Sequence, residues 1–223
     1  MLTEDTGTQG AHNAELELGF AWNRLDGDHA LLFQPQLAYG VSAAVDLMVQ
    51  PSWLMYHYVD GERQQGLGDT NLDMKWRFFG AAPWSFGVRA GVTLPTSQHQ
   101  FGLPSGTVSP HVTLVATADF APFIVDANLG YIRLPGSLEH RSDLYHFSAA
   151  TLLALNERWI FLVDAALDSN PNSVRASFPE VAIVGVIYTA RPGLDLDIGY
   201  RARLSADSAA EQWLLGITFR GAL

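Results

Sequence analysis

The chain has 223 residues, 23 Asp+Glu against 13 Lys+Arg, a net charge of −10 and no cysteine. No disulfide frame or thiolate metal site is available to it, and with Lys and Arg never clustered beyond neighbouring pairs it is a poor match for nucleic acid. Charged residues make up only 16% and hydrophobic ones 48%, yet no run approaches the roughly 20 apolar residues that a membrane helix needs.

The start, "MLTEDTGTQGAHNAE", is polar and acidic and carries no signal-peptide core. It reads either as a cytosolic start or as a mature form whose export signal is gone. The segment that follows, "AELELGFAWN" (14–23), sets Leu16, Leu18, Phe20 and Trp22 on one face against Glu15, Glu17, Gly19 and Ala21 on the other. That period of two predicts a strand with one dry face and one wet face. "NLDMKWRFF" (71–79), "WSFGVRAGVTL" (84–94) and "LDLDIGYRARL" (194–204) repeat the pattern, with charges in the middle of the wet face.

Weaker alternation predicts further strands at about 29–39, 45–58, 107–119, 123–134, 144–154, 159–168, 178–189 and 211–220. The total is about twelve. Pro35, Pro51 and Pro110 fall inside three of them, and proline forfeits a ladder hydrogen bond. The facing of 178–189 is left open, because "VAIVGVIY" is apolar at nearly every position.

Connections alternate in length. "GVSAA" (40–44), "GAAP" (80–83), "FAP" (120–122), "NER" (156–158) and "ARPG" (190–193) are tight, whereas 59–69, 95–106, 135–140, 169–177 and 205–210 are longer polar links. "LDGD" (25–28) is the one exception. Short turns at one end and long loops at the other mark an all-β, transmembrane, antiparallel up-and-down β-barrel. Strands of about 10–12 residues suit a tilted bilayer crossing. Aromatic residues on the dry face collect at both strand ends, as two interfacial girdles would require. A soluble sandwich also alternates, but it needs neither long strands nor two aromatic belts. The expected organisation is an N-terminal periplasmic segment over 1–12 able to tuck into the barrel mouth, one barrel over 13–220, and a tail at 221–223.

This facing sends Glu15, Glu17, Asp46, Asp73, Asp126, Asp164, Asp195 and Asp197 into the lumen, with Lys75, Arg77, Arg89, Arg201, Arg203 and Arg220. Such charges cannot face lipid, where one at the midplane costs about 2–4 kcal/mol. A pair between Arg220 and Glu17 is expected to help seal the first strand to the last. Leu32, Met48, Leu54, Tyr56, Ile124, Leu152 and Leu162 point inward as well. They are either a slide for apolar solutes or a packing surface for a loop or the N-terminal segment. "YHFSAA" and "SPHVT" put His146 beside Ser148 and Ser109 beside His111 on one face, the pairing a hydroxyl nucleophile needs. Both pairs face inward, away from any lipid substrate. The histidines are dispersed and no catalytic residue, metal site or cofactor is expected.

"LTEDTGTQG", "GLGDTNLDMKWRFF", "VTLPT", "HVTLVATADF", "NLGYIRLPG", "DSNPN" and "LDLDIGYR" together resemble the outer-membrane proteins of the phenol-degradation "MetA-pathway" transporter family, from Leu2 to about Phe219. The resemblance implies a monomeric twelve-stranded channel with a partly apolar lining that passes small, often hydrophobic molecules. Barrel proteins of this kind usually end on an aromatic residue, whereas "RGAL" follows Phe219 here. The expected setting is a Gram-negative outer membrane, with its lipid and lipopolysaccharide and a small-molecule solute as partners. A closed barrel serving as a scaffold or surface-binding module is the alternative, and a lipid hydrolase a lesser one.

Overall fold

The structure, a computed structural model, describes residues 2–25, 28–97, 106–134, 141–173, 175, 177–206, 208 and 211–222. The expected link at 135–140, most of that at 95–106, parts of those at 25–28, 169–177 and 205–210, and Leu223 of the tail lie outside the described residues. Fourteen strand segments follow one another: β1 (Asn13–Leu25), β2 (Asp28–Gly40), β3 (Val45–Gln50), β4 (Trp53–His57), β5 (Arg63–Leu67), β6 (Thr70–Ala81) and β7 (Trp84–Leu94). After these come β8 (Ser109–Phe120), β9 (Phe123–Arg133), β10 (Asp143–Ala154), β11 (Trp159–Asp168), β12 (Glu180–Arg191), β13 (Leu194–Arg203) and β14 (Gln212–Ala222). Each pairs antiparallel with its neighbours, and β1 pairs with both β2 and β14, so the sheet closes on itself. β3 with β4, and β5 with β6, are two halves of one crossing each. The result is a closed twelve-stranded antiparallel barrel.

Closure through β1 and β14 joins the two ends of the wall, so that most of the backbone is bonded strand to strand, as hydrocarbon demands. Which face points where follows from the pleat. Along β6, Leu72, Met74 and Trp76 are exposed while Asp73 and Lys75 are buried; along β11, Phe161, Val163 and Leu167 are exposed while Leu162, Asp164 and Ala166 are buried. An apolar exterior around a charged interior is the inverse of a soluble core. β12 joins the pattern with Val181, Ile183 and Gly185 inward and Val184 outward.

Aromatic rings pair across strands on the outer surface near both rims. Trp84–Phe120 and Trp159–Tyr188 lie by the short turns, Tyr131–Tyr145 and Tyr200–Trp213 toward the long links. A β-bulge between Arg77 and Phe79 adds a residue to β6. It leaves both Phe78 and Phe79 exposed, with Phe78 against Trp76 and Phe79 against Phe86. A bulge re-aims side chains in this way.

One link departs from the sequence expectation. The stretch 59–69 contains β5, a strand hydrogen-bonded to β4. Its polar "RQQGL" hides the signal, since Arg63 and Gln65 share the exposed face with Leu67 and polarity does not alternate with facing. The wall is interrupted where β3 passes into β4: Gln34, Pro35 and Gln36 have no ladder partner on that side, between Phe33↔Trp53 and Leu37↔Val49. The Gly68 N–H donates to the Ser52 carbonyl at 2.9 Å. A Cβ at Gly68 would lie 2.2 Å from Ser52 Oγ, so any larger residue would require the Ser52 and Leu54 side chains to turn away.

Candidate functional site

The chain N-terminal to β1 runs inside the barrel. It enters at the short-turn rim through a turn in which Gly10 has φ 78° and His12 φ 64°, a region that glycine occupies without strain. The His12 N–H donates to the Gly40 carbonyl at 2.8 Å. A Cβ on Gly40 would fall 1.8 Å from the Gly10 carbonyl oxygen, so two glycines let the segment fold back from β1 into the lumen.

From there residues 2–9 form a strap held by wall side chains that bind its backbone. The Gln9 N–H donates to Asp46 on β3, 3.0 Å from Oδ2, and the Thr6 N–H to Thr117 Oγ1 on β8 at 3.0 Å. Thr6 Oγ1 touches Ser85 Oγ on β7. The Asn128 side chain on β9 accepts from the Glu4 N–H at 2.6 Å and donates to the Glu4 carbonyl at 2.8 Å, as a neighbouring strand would. Asp164 on β11 accepts from the Leu2 N–H at 2.6 Å, the Thr3 N–H at 3.1 Å and Thr3 Oγ1 at 2.6 Å. β3 and β11 are six crossings apart in a ring of twelve. The strap therefore spans the lumen from one wall to the opposite one.

Glu4 is its ionic anchor. Oε1 receives Lys75 Nζ at 2.7 Å and Oε2 receives Arg89 Nη1 at 2.6 Å. Arg89 also donates through Nη2 to Asp73 Oδ2 at 2.8 Å, and Asp73 Oδ1 lies 2.6 Å from His111 Nε2. Burial pushes the Glu4 carboxyl upward, but the charges and hydrogen bonds of Lys75 and Arg89 outweigh it, and its pKa falls below the ordinary value. Removing one partner of a buried pair costs about 3–5 kcal/mol in a dry interior. It costs less here, where the Glu4 side chain is 23% exposed.

Leu2 is the apolar anchor. It packs against a cluster of Ala150, Leu152, Leu162 and Ile183, with Ile124, Ile160, Ile187 and Leu214 around it. Of the inward apolar residues singled out in the sequence, Leu152, Leu162 and Ile124 belong to this patch. Met48 lies across the lumen on β3. Leu32, Leu54 and Tyr56 are half-buried on β2 and β4, apart from the patch.

The strap divides the lumen. On one side is a cavity of about 910 Å³ whose wall carries Glu15, Glu17, Asp46, Asp195, Asp197 and Arg220, with Lys75 and Arg89 at its strap side. On the other is a cavity of about 810 Å³, lined by Arg77, Asp126, Ser85 and Thr117 among others; both reach the short-turn rim, the first at Asn13 and Gly193, the second at Ala82 and Ala121. Arg201 donates to Gln212 at 3.3 Å, and Arg203 is exposed at the end of β13. The expected seam pair takes a different partner. Arg220 donates to Glu15, Nε to Oε2 at 2.5 Å, and contacts Asp195. The register sets Glu15 opposite Arg220 and Glu17 opposite Thr218, a two-residue offset that alternation alone does not fix.

The two hydroxyl–imidazole pairs come out differently. Ser109 Oγ donates to the Arg133 carbonyl at 2.7 Å while His111 turns to Asp73, so that pair is not assembled. His146 lies 3.0 Å from Ser148 Oγ through Nε2 and 2.7 Å from Asp168 Oδ1 through Nδ1. The connectivity is that of a catalytic triad, and Asp168 was not linked to the pair in the sequence. Ser148 is nevertheless only 1% exposed, and β10 is laddered on both sides there. Its hydroxyl is thus enclosed by the wall and the His146 ring. Among the described residues no group of three or more His, Asp or Glu could hold a metal ion.

The fold has counterparts among solved structures. An outer membrane channel from Pseudomonas putida F1 superimposes with a TM-score of 0.77 at 10% identity, covering 98% of each chain. The NanC porin gives 0.66 at 10% identity over 92% of this chain and 98% of its own. The KdgM porin, solved with disordered oligogalacturonate, gives 0.59 at 9% identity over 91% and 98%. Likeness at such low identity establishes the fold, that of outer-membrane barrels. No curated protein matches the chain. Residues 5–220 match the family described as "Putative MetA-pathway of phenol degradation", and the chain belongs to that family.

Proposed function

We propose that the protein is a passive diffusion channel of a Gram-negative outer membrane, serving small apolar or aromatic solutes. The observation that carries this reading is the strapped lumen: a cavity of about 910 Å³ whose lining includes both carboxylates and the apolar Leu152, Ile160, Leu162 and Ile187. These residues seat Leu2 and also border the cavity, so an amphiphilic solute meets both kinds of surface. Support also comes from the family's description, which concerns phenol degradation, and from the channels and porins that share the fold. In this reading the solute gradient is the driving force. The barrel acts as a monomer, with lipid and lipopolysaccharide around its aromatic girdles and its short turns in the periplasm.

The strap itself favours a second reading, a barrel closed at rest that serves as scaffold. Planar bilayers separate the two. Discrete conductance steps, together with uptake of phenol into liposomes holding the full chain, support the channel. A tight seal, both as folded and after removal of residues 2–9, supports the scaffold.

A further inference from the structure

The strap presents two side chains to the wall in a fixed relation. Leu2 and Glu4 flank a bend at Thr3 and reach different parts of the wall, Leu2 toward β10, β11 and β12 and Glu4 toward β6 and β7. The wall answers with an apolar patch for Leu2 and two cations for Glu4. Between them the two side chains fill one apolar place and one anionic place on separate parts of the wall, so a molecule that replaces both needs a greasy body and one carboxylate. We propose that Lys75, Arg89 and the patch of Leu152, Leu162 and Ile183 form an exchangeable site for a small apolar carboxylate, an aromatic or branched-alkyl acid, which displaces the strap by taking the places of Glu4 and Leu2.

Charge decides why an anion is required. Lys75 is 5% exposed, and if Glu4 leaves, Arg89 keeps a single carboxylate, Asp73, with a longer contact to the neutral Gln36. Bare cations in that setting are costly, so the strap stays until another anion arrives. A neutral apolar solute can fill the place of Leu2 and still leaves the Glu4 clamp closed. An inorganic anion can neutralise Lys75 and still leaves Leu2 seated. A carboxylate on an apolar body does both. Its charge also selects the wall: Glu15, Glu17, Asp195 and Asp197 across the cavity repel it toward Lys75 and Arg89. Asp46, Thr117, Asn128 and Asp164 bind strap backbone or Thr3, and Ser85 meets the Thr6 hydroxyl. They hold whatever extended segment is present without selecting a solute. The site deepens the channel reading by naming the solute class, and it rests on that reading only in lying along the route.

Amide hydrogen exchange of the full chain in detergent micelles tests it without relying on conduction. The strap amides of Leu2, Thr3, Glu4, Thr6 and Gln9 are all bonded to wall side chains and begin protected. Sodium benzoate should speed their exchange about tenfold at ten times its half-saturating concentration. Benzyl alcohol and sodium chloride, at equal concentration and ionic strength, should not. Lys75→Met should abolish the response and Lys75→Arg should keep it. Equal acceleration by benzyl alcohol or chloride, no acceleration by benzoate, or a full response in folded Lys75→Met each overturns the proposal. A conducting channel whose strap ignores benzoate would leave the function standing and remove this site alone.

Discussion

Arg220 on the last strand donates to Glu15 on the first, 205 positions away in the chain, and its other edge reaches Asp195 on β13. One guanidinium thus ties together three consecutive strands at the point where the barrel closes. Its side chain is 46% exposed, so water screens the pairs and each contributes at most about 1 kcal/mol. Arg220→Met should lower the temperature at which the compact band on an unboiled gel gives way to the unfolded one. Glu15→Gln should lower it less, because Asp195 remains. The double variant should lose less than the sum of the two, since both changes cut the same contact. Additive losses would mean that the two residues act independently.

The assignment of faces has its own test at Ile198, which is 50% exposed near the middle of β13. Ile198→Arg places a cation in hydrocarbon at a cost of about 2–4 kcal/mol. The variant should fold poorly into lipid vesicles and shift its urea midpoint accordingly. Ile198→Leu should be nearly silent. An unaffected Ile198→Arg would contradict the lipid-facing role of the whole apolar surface.

Most of this architecture is legible from a period of two. Leu194 to Leu204 alternates so plainly that β13 and its facing can be read residue by residue, as can β6 and β7. What the pattern cannot carry is register and path. Glu15 and Glu17 share one face of β1, and only the alignment with β14 decides which of them meets Arg220. β5 escapes notice because Arg63 and Gln65 share the exposed face with Leu67, so polarity does not alternate with facing. The strap is the largest gap. Residues 2–9 have no periodicity, and their partners Asp46, Lys75, Arg89, Asn128 and Asp164 come from five different strands. The one available signal is compositional: an acidic segment followed by Gly10, preceding a barrel with buried cations.

The Glu4 clamp sets a direction for the effect of pH. Its carboxyl titrates below the ordinary value in the folded chain, so its stabilising contribution is complete above the unfolded pKa of about 4.3. It declines as pH falls through the lower, folded value. Strap amide exchange, compared between the natural chain and Glu4→Gln at each pH, isolates this contribution from the other carboxylates. The gap between the two should be constant from neutral pH down to the ordinary carboxylate range and close only below it. A gap that closes at pH 6 would mean that Lys75 and Arg89 do not hold the carboxylate as described.

A covalent lock separates strap movement from every other change in the pore. The chain has no cysteine, and Thr6 Oγ1 touches Ser85 Oγ, so Thr6→Cys with Ser85→Cys introduces one pair of thiols already in contact. Oxidation should tie the middle of the strap to β7, and reduction should release it in the same membrane. If strap movement sets the width of the path, the oxidised channel conducts only through the residual cavities and fluctuates little. Reduction then raises conductance several-fold, toward that of a chain lacking residues 2–9. Either single variant should respond to neither reagent. Equal conductance in the oxidised and reduced states would mean that the strap is a permanent part of the wall and that solute passes through the cavity beside it.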